Sequence, residues 1–202
     1  MSRDTPDQRR ATIERATSET RTRVEIDLHA AAAAAEINTG IGFLDHMLTA
    51  LAVHSGVALK LSCDGDLHID DHHTAEDCAL ALGLAIDGAL GDRRGIARFA
   101  SAYAPLDESL ARVVIDLCAR PHATVDLGLR REAIGGLATE NITHFLVSLA
   151  MNARITLHAD VVRGENDHHK AEAAFKALAL ALRTALARTG RDGAASTKGT
   201  LA

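Results

Sequence analysis

Residues His46–Leu61 read HMLTALAVHSGVALKL, and they can be laid on His144–Ala159, HFLVSLAMNARITLHA. Leu48 meets Leu146, Leu51 meets Leu149, and Ala52 meets Ala150. Val57, Leu59 and Leu61 meet Ile155, Leu157 and Ala159. Further on, Asp71-His72-His73-Thr74-Ala75-Glu76 matches Asp167-His168-His169-Lys170-Ala171-Glu172. The first match is offset by 98 residues and the second by 96, so a two-residue gap reconciles them. Self-similarity of this kind marks a repeated unit of roughly ninety to a hundred residues.

Hydrophobic periodicity gives each half the same parts. Thr22–His29 alternates, with Val24, Ile26 and Leu28 on one face, which is the pattern of a half-buried strand. Leu44–His54 carries apolar residues at helical spacing and stops near Gly56, a natural C-terminal cap. Val57–Cys63 reads as a strand, and His72 to about Gly91 as a long helix rich in alanine and leucine. In the second half, Arg112–Cys118, His122–Leu127 and Arg154–Val162 read as strands and Asn141–Ala153 as a helix. His168 to about Arg188 is the second long helix, with Phe175, Leu178, Leu182 and Leu186 in one stripe. The fold class is therefore α+β. The expected layout is a polar N-terminal extension over 1–14, a first repeat half over 15–95, a second over 96–190 and a tail over 191–202. The alanine run Ala30–Ala35 reads as a plain connection, and Gly190–Ala202 has the composition of a mobile tail.

Composition narrows the function. With 47% hydrophobic and 24% charged residues among 202, the chain is neither disordered nor fibrous. Only five residues are aromatic, so the core is thin and favours close helix packing and burial against other subunits. A net charge of −5 argues against nucleic acid or an acidic membrane as partner. Base-stacking platforms are nearly absent as well. Cys63, Cys78 and Cys118 are odd in number and widely spaced, which suits reduced thiols in a cytosol. MSRDTPDQRR lacks the apolar stretch of a signal peptide, and no apolar run reaches the ~18 residues of a membrane span. The expected location is cytoplasmic.

The eleven histidines carry the chemistry. His72 and Glu76 are four apart on a helix and share a face, while His73 is turned from His72 by about 100°. His168, His169 and Glu172 repeat the arrangement, and His46 and His144 sit in the shorter helices. Six histidines and two glutamates, divided evenly, make two metal sites of three imidazoles and one carboxylate each. Such donors suit Mn²⁺, Fe²⁺ or Zn²⁺ and leave open positions for water or substrate. One His-His-x-x-Glu could be surface decoration; two copies at matching positions of a repeat, each preceded by a matching histidine, are a metal-binding signature. Asp71 and Asp167, just before the histidines, read as helix N-caps in preference to outer acceptors for the metal ligands.

With these residues in view, the chain resembles the imidazoleglycerol-phosphate dehydratase family of histidine biosynthesis from about Arg15 to Leu201. The likeness rests on RATSET at Arg15–Thr20, TGIGFLDHML at Thr39–Leu48, DDHHTAEDCALALG at Asp70–Gly83, ENDHHKAEAAFKAL at Glu165–Leu178 and STKGTL at Ser196–Leu201. The resemblance implies a duplicated α+β fold, each half like the second domain of ribosomal protein S5, with helices between two β-sheets. It implies two Mn²⁺ ions per active site, held by His46, His72, His73, Glu76, His144, His168, His169 and Glu172. It implies an assembly of twenty-four subunits with active sites between neighbours. Arg98, Arg120, Lys176, Ser196 and Lys198 match the family's phosphate contacts, and the tail is expected to close over substrate.

The reaction so implied removes water from D-erythro-imidazole-glycerol phosphate to give imidazole-acetol phosphate, a hydro-lyase step. Its catalytic residues are expected to be Glu19, as base, with His72, Glu76, His168 and Glu172. Asp107 and Glu108 match a family motif near the site without a firm role. The sequence departs from the family at Ala195, where proline is common, and at Cys118-Ala119 before Arg120. A different dinuclear metal-dependent hydrolase and a non-catalytic metal-binding protein remain as rivals on the ligands alone. A ferritin-like bundle ranks below both, since its Glu-x-x-His order is reversed here and strands do not belong in it.

Overall fold

A computed structural model describes residues 9–190 and 193–197. In chain order the strands and helices begin β1 (Arg10–Ala16), β2 (Thr20–Asp27), β3 (Ala34–Asn38), α1 (Gly42–Ser55), β4 (Ala58–Gly65) and α2 (His72–Leu90). They continue β5 (Phe99–Leu106), β6 (Ser109–Asp116), β7 (His122–Asp126), the short pair β8 (Ala133–Ile134) and β9 (Leu137–Ala138), α3 (Thr139–Asn152), β10 (Thr156–Arg163) and α4 (Asp167–Ala185). One sheet runs β1-β2-β4-β3 and the other β5-β6-β10-β7. In each, two antiparallel pairings are followed by one parallel pairing at the edge. A parallel pair needs a long crossover, and α1 supplies it between β3 and β4 as α3 does between β7 and β10.

The strands are built by alternation. Thr20, Thr22, Val24 and Ile26 of β2 turn inward, as do Leu59, Leu61 and Cys63 of β4, and Ala111, Val113 and Ile115 of β6. α2 packs on β1 and β2 and α1 on β3, while α4 packs on β5 and β6 and α3 on β7. The helices meet in the middle, α1 against α4 and α2 against α3, so all four lie between the two sheets. The stripe of Phe175, Leu178, Leu182 and Leu186 is buried, and Phe175 meets Phe145 of α3 with ring centroids 5.9 Å apart.

Three local readings change. β1 takes up Arg10–Ala16, so the first sheet begins inside the stretch read as a polar extension. The last two residues of the alanine run open β3, because an edge strand beside Leu59 and Leu61 needs no bulky outward side chain. β5 was not foreseen either; its sequence FASAYAPL exposes Phe99 and Tyr103 on the outer face. Gly56 does cap α1, with φ of 84° in the left-handed region that glycine adopts without strain. No helix among the described residues is long and apolar enough to cross a membrane.

Small residues set the spacing of the helical layers. A Cβ on Gly83 of α2 would fall 2.8 Å from the Leu149 carbonyl oxygen, 2.9 Å from the Ala153 nitrogen and 2.7 Å from the Asn152 Cβ. Backbone cannot move aside as a flexible side-chain end can. Gly83→Ala is therefore expected to push α3 off α2 and to cost about 1–3 kcal/mol, read as a lower urea midpoint with an unchanged m-value; a midpoint equal to the parent's would contradict this packing.

Candidate metal centre

Among the described residues two clusters of metal-capable side chains emerge, and neither draws on one half alone. His46 of α1 joins His168 and Glu172 of α4, and His144 of α3 joins His72 and Glu76 of α2, with each cluster's donor atoms within 4.8 Å of one another. The swap follows from the helix pairing: α1 lies on α4 and α2 on α3, so a shorter helix offers its histidine to the long helix of the other sheet. In one cluster the His46 and His168 Nε2 atoms lie 3.1 and 3.2 Å from Glu172 Oε2. In the other, His144 Nε2 is 3.0 Å from Glu76 Oε1, and the His72 and His144 rings stack at 5.1 Å. Imidazole nitrogens and a carboxylate oxygen converging on one small space, with no thiolate, are a donor set that fits a divalent first-row ion.

Within one chain each cluster thus gathers two imidazoles, and the second histidine of each pair points elsewhere. His73 Nδ1 faces Asp66, at 3.0 Å, and His169 Nδ1 faces Glu108, at 2.7 Å. The hydrogen bond that His73 donates to Asp66 holds its pKa above the ordinary histidine value, and the one that His169 donates to Glu108 does the same. Glu108 in turn sits well below the usual carboxylate range, through His169 and then the Asn166 N–H. Burial would raise the pKa of Glu172, but hydrogen bonds from Lys176 and His46 and their charge bring it down to about 2.

Several supporting groups were not legible in the sequence. Asn141 Oδ1 lies 2.9 Å from His72 Nδ1 and turns Nε2 toward the cluster, while Phe43 packs on the His168 ring at 5.0 Å. These two stand 98 residues apart, the offset of the first repeat match, so the alignment could have flagged them as a pair. Asp71 does stand at the N-cap position of α2, but its side chain makes no capping hydrogen bond, and Asp167 is the first residue of α4 and not its cap. The side chain that caps α4 is Asn166, which accepts from the His168 and His169 N–H groups. Asp71 accepts the Ala138 N–H ahead of α3, and Asp167 accepts those of Arg130 and Arg131, so each anchors an approaching loop.

The candidate base and phosphate residues fall in separate places. Glu19 occupies the turn between β1 and β2, with Oε1 3.8 Å from His73 Nε2. Hydrogen bonds brace that turn: Thr17 Oγ1 accepts the Glu19 and Thr20 N–H groups, and Arg15 and Thr20 both donate to Asp77 of α2. Arg98 donates from Nε and Nη2 to Asp116 and from Nη1 to the Ala195 carbonyl, which brings the tail beside Ser196 to it. Arg120 lies 3.9 Å from Asp116 with its side chain 72% exposed. Lys176 is not with these arginines; its Nζ pairs with Glu172 at 2.6 Å. Lys198 lies outside the described residues.

Residues 39–182 match the family model described as imidazoleglycerol-phosphate dehydratase. The chain belongs to that family. An imidazoleglycerol-phosphate dehydratase of Eremothecium gossypii is 63% identical over 165 residues, which cover 82% of this chain and 75% of that protein. The crystal structure of the Staphylococcus aureus dehydratase is similar at a TM-score of 0.80 and 37% identity, covering 89% of this chain and 99% of that one. That of the Pyrococcus furiosus dehydratase, in complex with (S)-C348, is similar at 0.79 and 38%, covering 94% and 100%. The mixed α+β architecture is therefore that of the dehydratase family.

The Asp167 anchor gives a stability test for this site. Asp167 and Lys170 are each 3% exposed; their side chains meet at 2.9 Å, and Lys170 also donates to the Gly128 carbonyl. Burial opposes ionisation of Asp167, yet the Arg131 N–H, Lys170 and the Arg130 N–H outweigh it and lower its pKa. A depressed carboxylate contributes stability in full above its unfolded pKa, and that contribution is lost as pH falls through the folded value. Asp167→Ala strands the buried ammonium and should cost about 3–5 kcal/mol at neutral pH, with the gap to the parent narrowing in acid; denaturant titrations at pH 7 and pH 3 would check both parts.

Proposed function

We propose that this chain is a metal-dependent imidazoleglycerol-phosphate dehydratase, a hydro-lyase of histidine biosynthesis. The observation that carries the reading is the pair of mirrored imidazole–carboxylate clusters in a chain of this family. Its two halves are two copies of one unit resembling the second domain of ribosomal protein S5, which accounts for the shared strand order of the sheets. His46, His72, His73, Glu76, His144, His168, His169 and Glu172 would hold two Mn²⁺ ions per active site. Each cluster has two imidazoles from its own chain, and His73 and His169 point away from both. That geometry favours sites completed between subunits of a twenty-four-chain assembly. Three buried free thiols suit a reducing cytoplasm.

The substrate loses a hydroxyl from the carbon attached to its ring and a proton from the neighbouring carbon. That proton sits beside an alcohol, so nothing in the substrate alone makes it acidic. Bound divalent cations supply positive charge that lets the ring carry electron density through the departure of hydroxide. Glu19, held at the braced turn and facing His73 Nε2, takes the proton from the neighbouring carbon. The enol so formed becomes the ketone. His72, Glu76, His168 and Glu172 orient the reacting ring, and Arg98, Arg120, Ser196 and Lys198 bind the phosphate, with Asp116 setting the plane of the Arg98 fork. Lys176, paired with Glu172 within this chain, would join them only at a site shared between subunits.

Purified protein should convert imidazole-glycerol phosphate to the ketone with Mn²⁺ and lose this activity on chelation; release of inorganic phosphate instead would favour a hydrolase. Glu19→Gln, with metal content unchanged, should lower kcat by about 10²–10⁴-fold. Parent-like turnover would remove Glu19 from the chemistry. Native mass measurement should find a large assembly, and a stable monomer would contradict shared sites.

A further inference from the structure

The second histidines of the two motifs are treated alike, although the carboxylates that treat them come from different elements. His73 Nδ1 lies 3.2 and 3.0 Å from the two oxygens of Asp66, which follows β4. His169 Nδ1 lies 2.7 Å from Oε2 of Glu108, in the turn between β5 and β6. A carboxylate at that distance accepts a proton held on Nδ1, and a neutral imidazole with Nδ1–H has its lone pair on Nε2. In both rings Nε2 then faces outward past a second carboxylate, Glu19 at 3.8 Å and Asp107 at 3.7 Å.

We propose that Asp66 and Glu108 are positioning residues: each fixes the Nδ1–H tautomer of its histidine and so presents Nε2 of His73 and of His169 as a metal donor. The inference rests on the metal-dependent reading above. Carboxylates that hold the remote nitrogen of a ligating imidazole fix its tautomer and orientation, and losing one commonly weakens metal binding by about 10–100-fold.

The two carboxylates differ in a way that makes the test sharp. Glu108 Oε1 already accepts from the Ser109 hydroxyl and from the Glu165 and Asn166 N–H groups. In Glu108→Gln those three donors keep the amide oxygen on their side, so the amide NH₂ is turned toward His169 Nδ1. A donor there selects the opposite tautomer, with the proton on Nε2, where it blocks the metal. Asp66 has both oxygens on one ring nitrogen, so in Asp66→Asn the amide can turn and keep an oxygen on His73. Asp66→Ala removes the acceptor outright.

Mn²⁺ binding to the full chain, followed by electron paramagnetic resonance, is expected to weaken by about 10–100-fold in Glu108→Gln and Asp66→Ala and by less than about threefold in Asp66→Asn. Solid-state ¹⁵N spectra of metal-free, histidine-labelled protein should show the proton moved from Nδ1 to Nε2 of His169 in Glu108→Gln. A merely structural role would lower thermal stability without moving that proton. Parent-like Mn²⁺ affinity in either Glu108→Gln or Asp66→Ala, or an unmoved His169 proton, overturns the proposal. A parent chain that binds no Mn²⁺ would defeat the metal reading instead, and the ¹⁵N spectra would still decide the tautomers.

Discussion

The pairing of α1 with α4 and of α2 with α3 is the constraint on which the rest depends. Because the helices lie between the sheets, each long helix meets the shorter helix of the opposite sheet, and each donor cluster forms across that contact. A single half could fold its strands and bury a helix face, yet it would hold His72 and Glu76 without His144. The alanine-rich composition follows from the same constraint. Ala75, Ala79, Ala85, Ala171, Ala174 and Ala181 are buried with no exposed surface to spare, and Gly83 lets α2 touch the α3 backbone. Helices that approach this closely need few aromatic residues, and Phe145 against Phe175 fills what space remains.

The clusters share a plan without sharing an electrostatic setting. Glu172 has Lys176 one turn along, whereas the position one turn past Glu76 is Leu80. A lysine so placed stabilises the carboxylate and offsets part of its charge. His168 is seated on an aromatic ring and His72 on a side-chain amide oxygen, so only His72 has its tautomer set by the neighbour at this position. The donors match between the two halves while their surroundings differ.

All four helices were legible in the sequence, because burial between layers imposes a strong 3.6-residue rhythm on them. So were β2, β4, β6, β7 and β10, whose inward residues alternate cleanly. The strands β1, β3 and β5 were not, since RATIERA, AAEIN and FASAYAPL place mostly alanine on the inward face of an edge and leave no strong apolar alternation. The eight proposed ligands could be named from motif spacing alone. Which of them share a cluster could not, because periodicity tells how a helix turns and not which helix it meets. The carboxylates of Asp71 and Asp167 were misread for a related reason: Asp71 holds the N-cap position and Asp167 the next one, but both side chains accept from N–H groups elsewhere, on β9 and on the loop after β7.

The two hairpin turns put one arrangement to two uses. Glu19 and Glu108 each stand immediately before the second strand of a hairpin, and each faces the second histidine of a motif. Glu108 is fully engaged: His169, the Ser109 hydroxyl and the N–H groups ahead of α4 take up both oxygens. At the other turn those structural duties fall to different atoms. Asp77 clamps Arg15 and Thr20, Thr17 closes the turn, and Asp66 takes His73, so among the described residues the Glu19 carboxylate meets the outer edge of the ring, at 3.8 Å, and accepts no hydrogen bond. A carboxylate whose turn is braced but whose oxygens are not committed is suited to receive a proton, and one with every oxygen engaged is suited to hold a histidine still. The two halves thus differ less in their proposed metal ligands, which match, than in which neighbouring side chains relieve each hairpin glutamate of structural work.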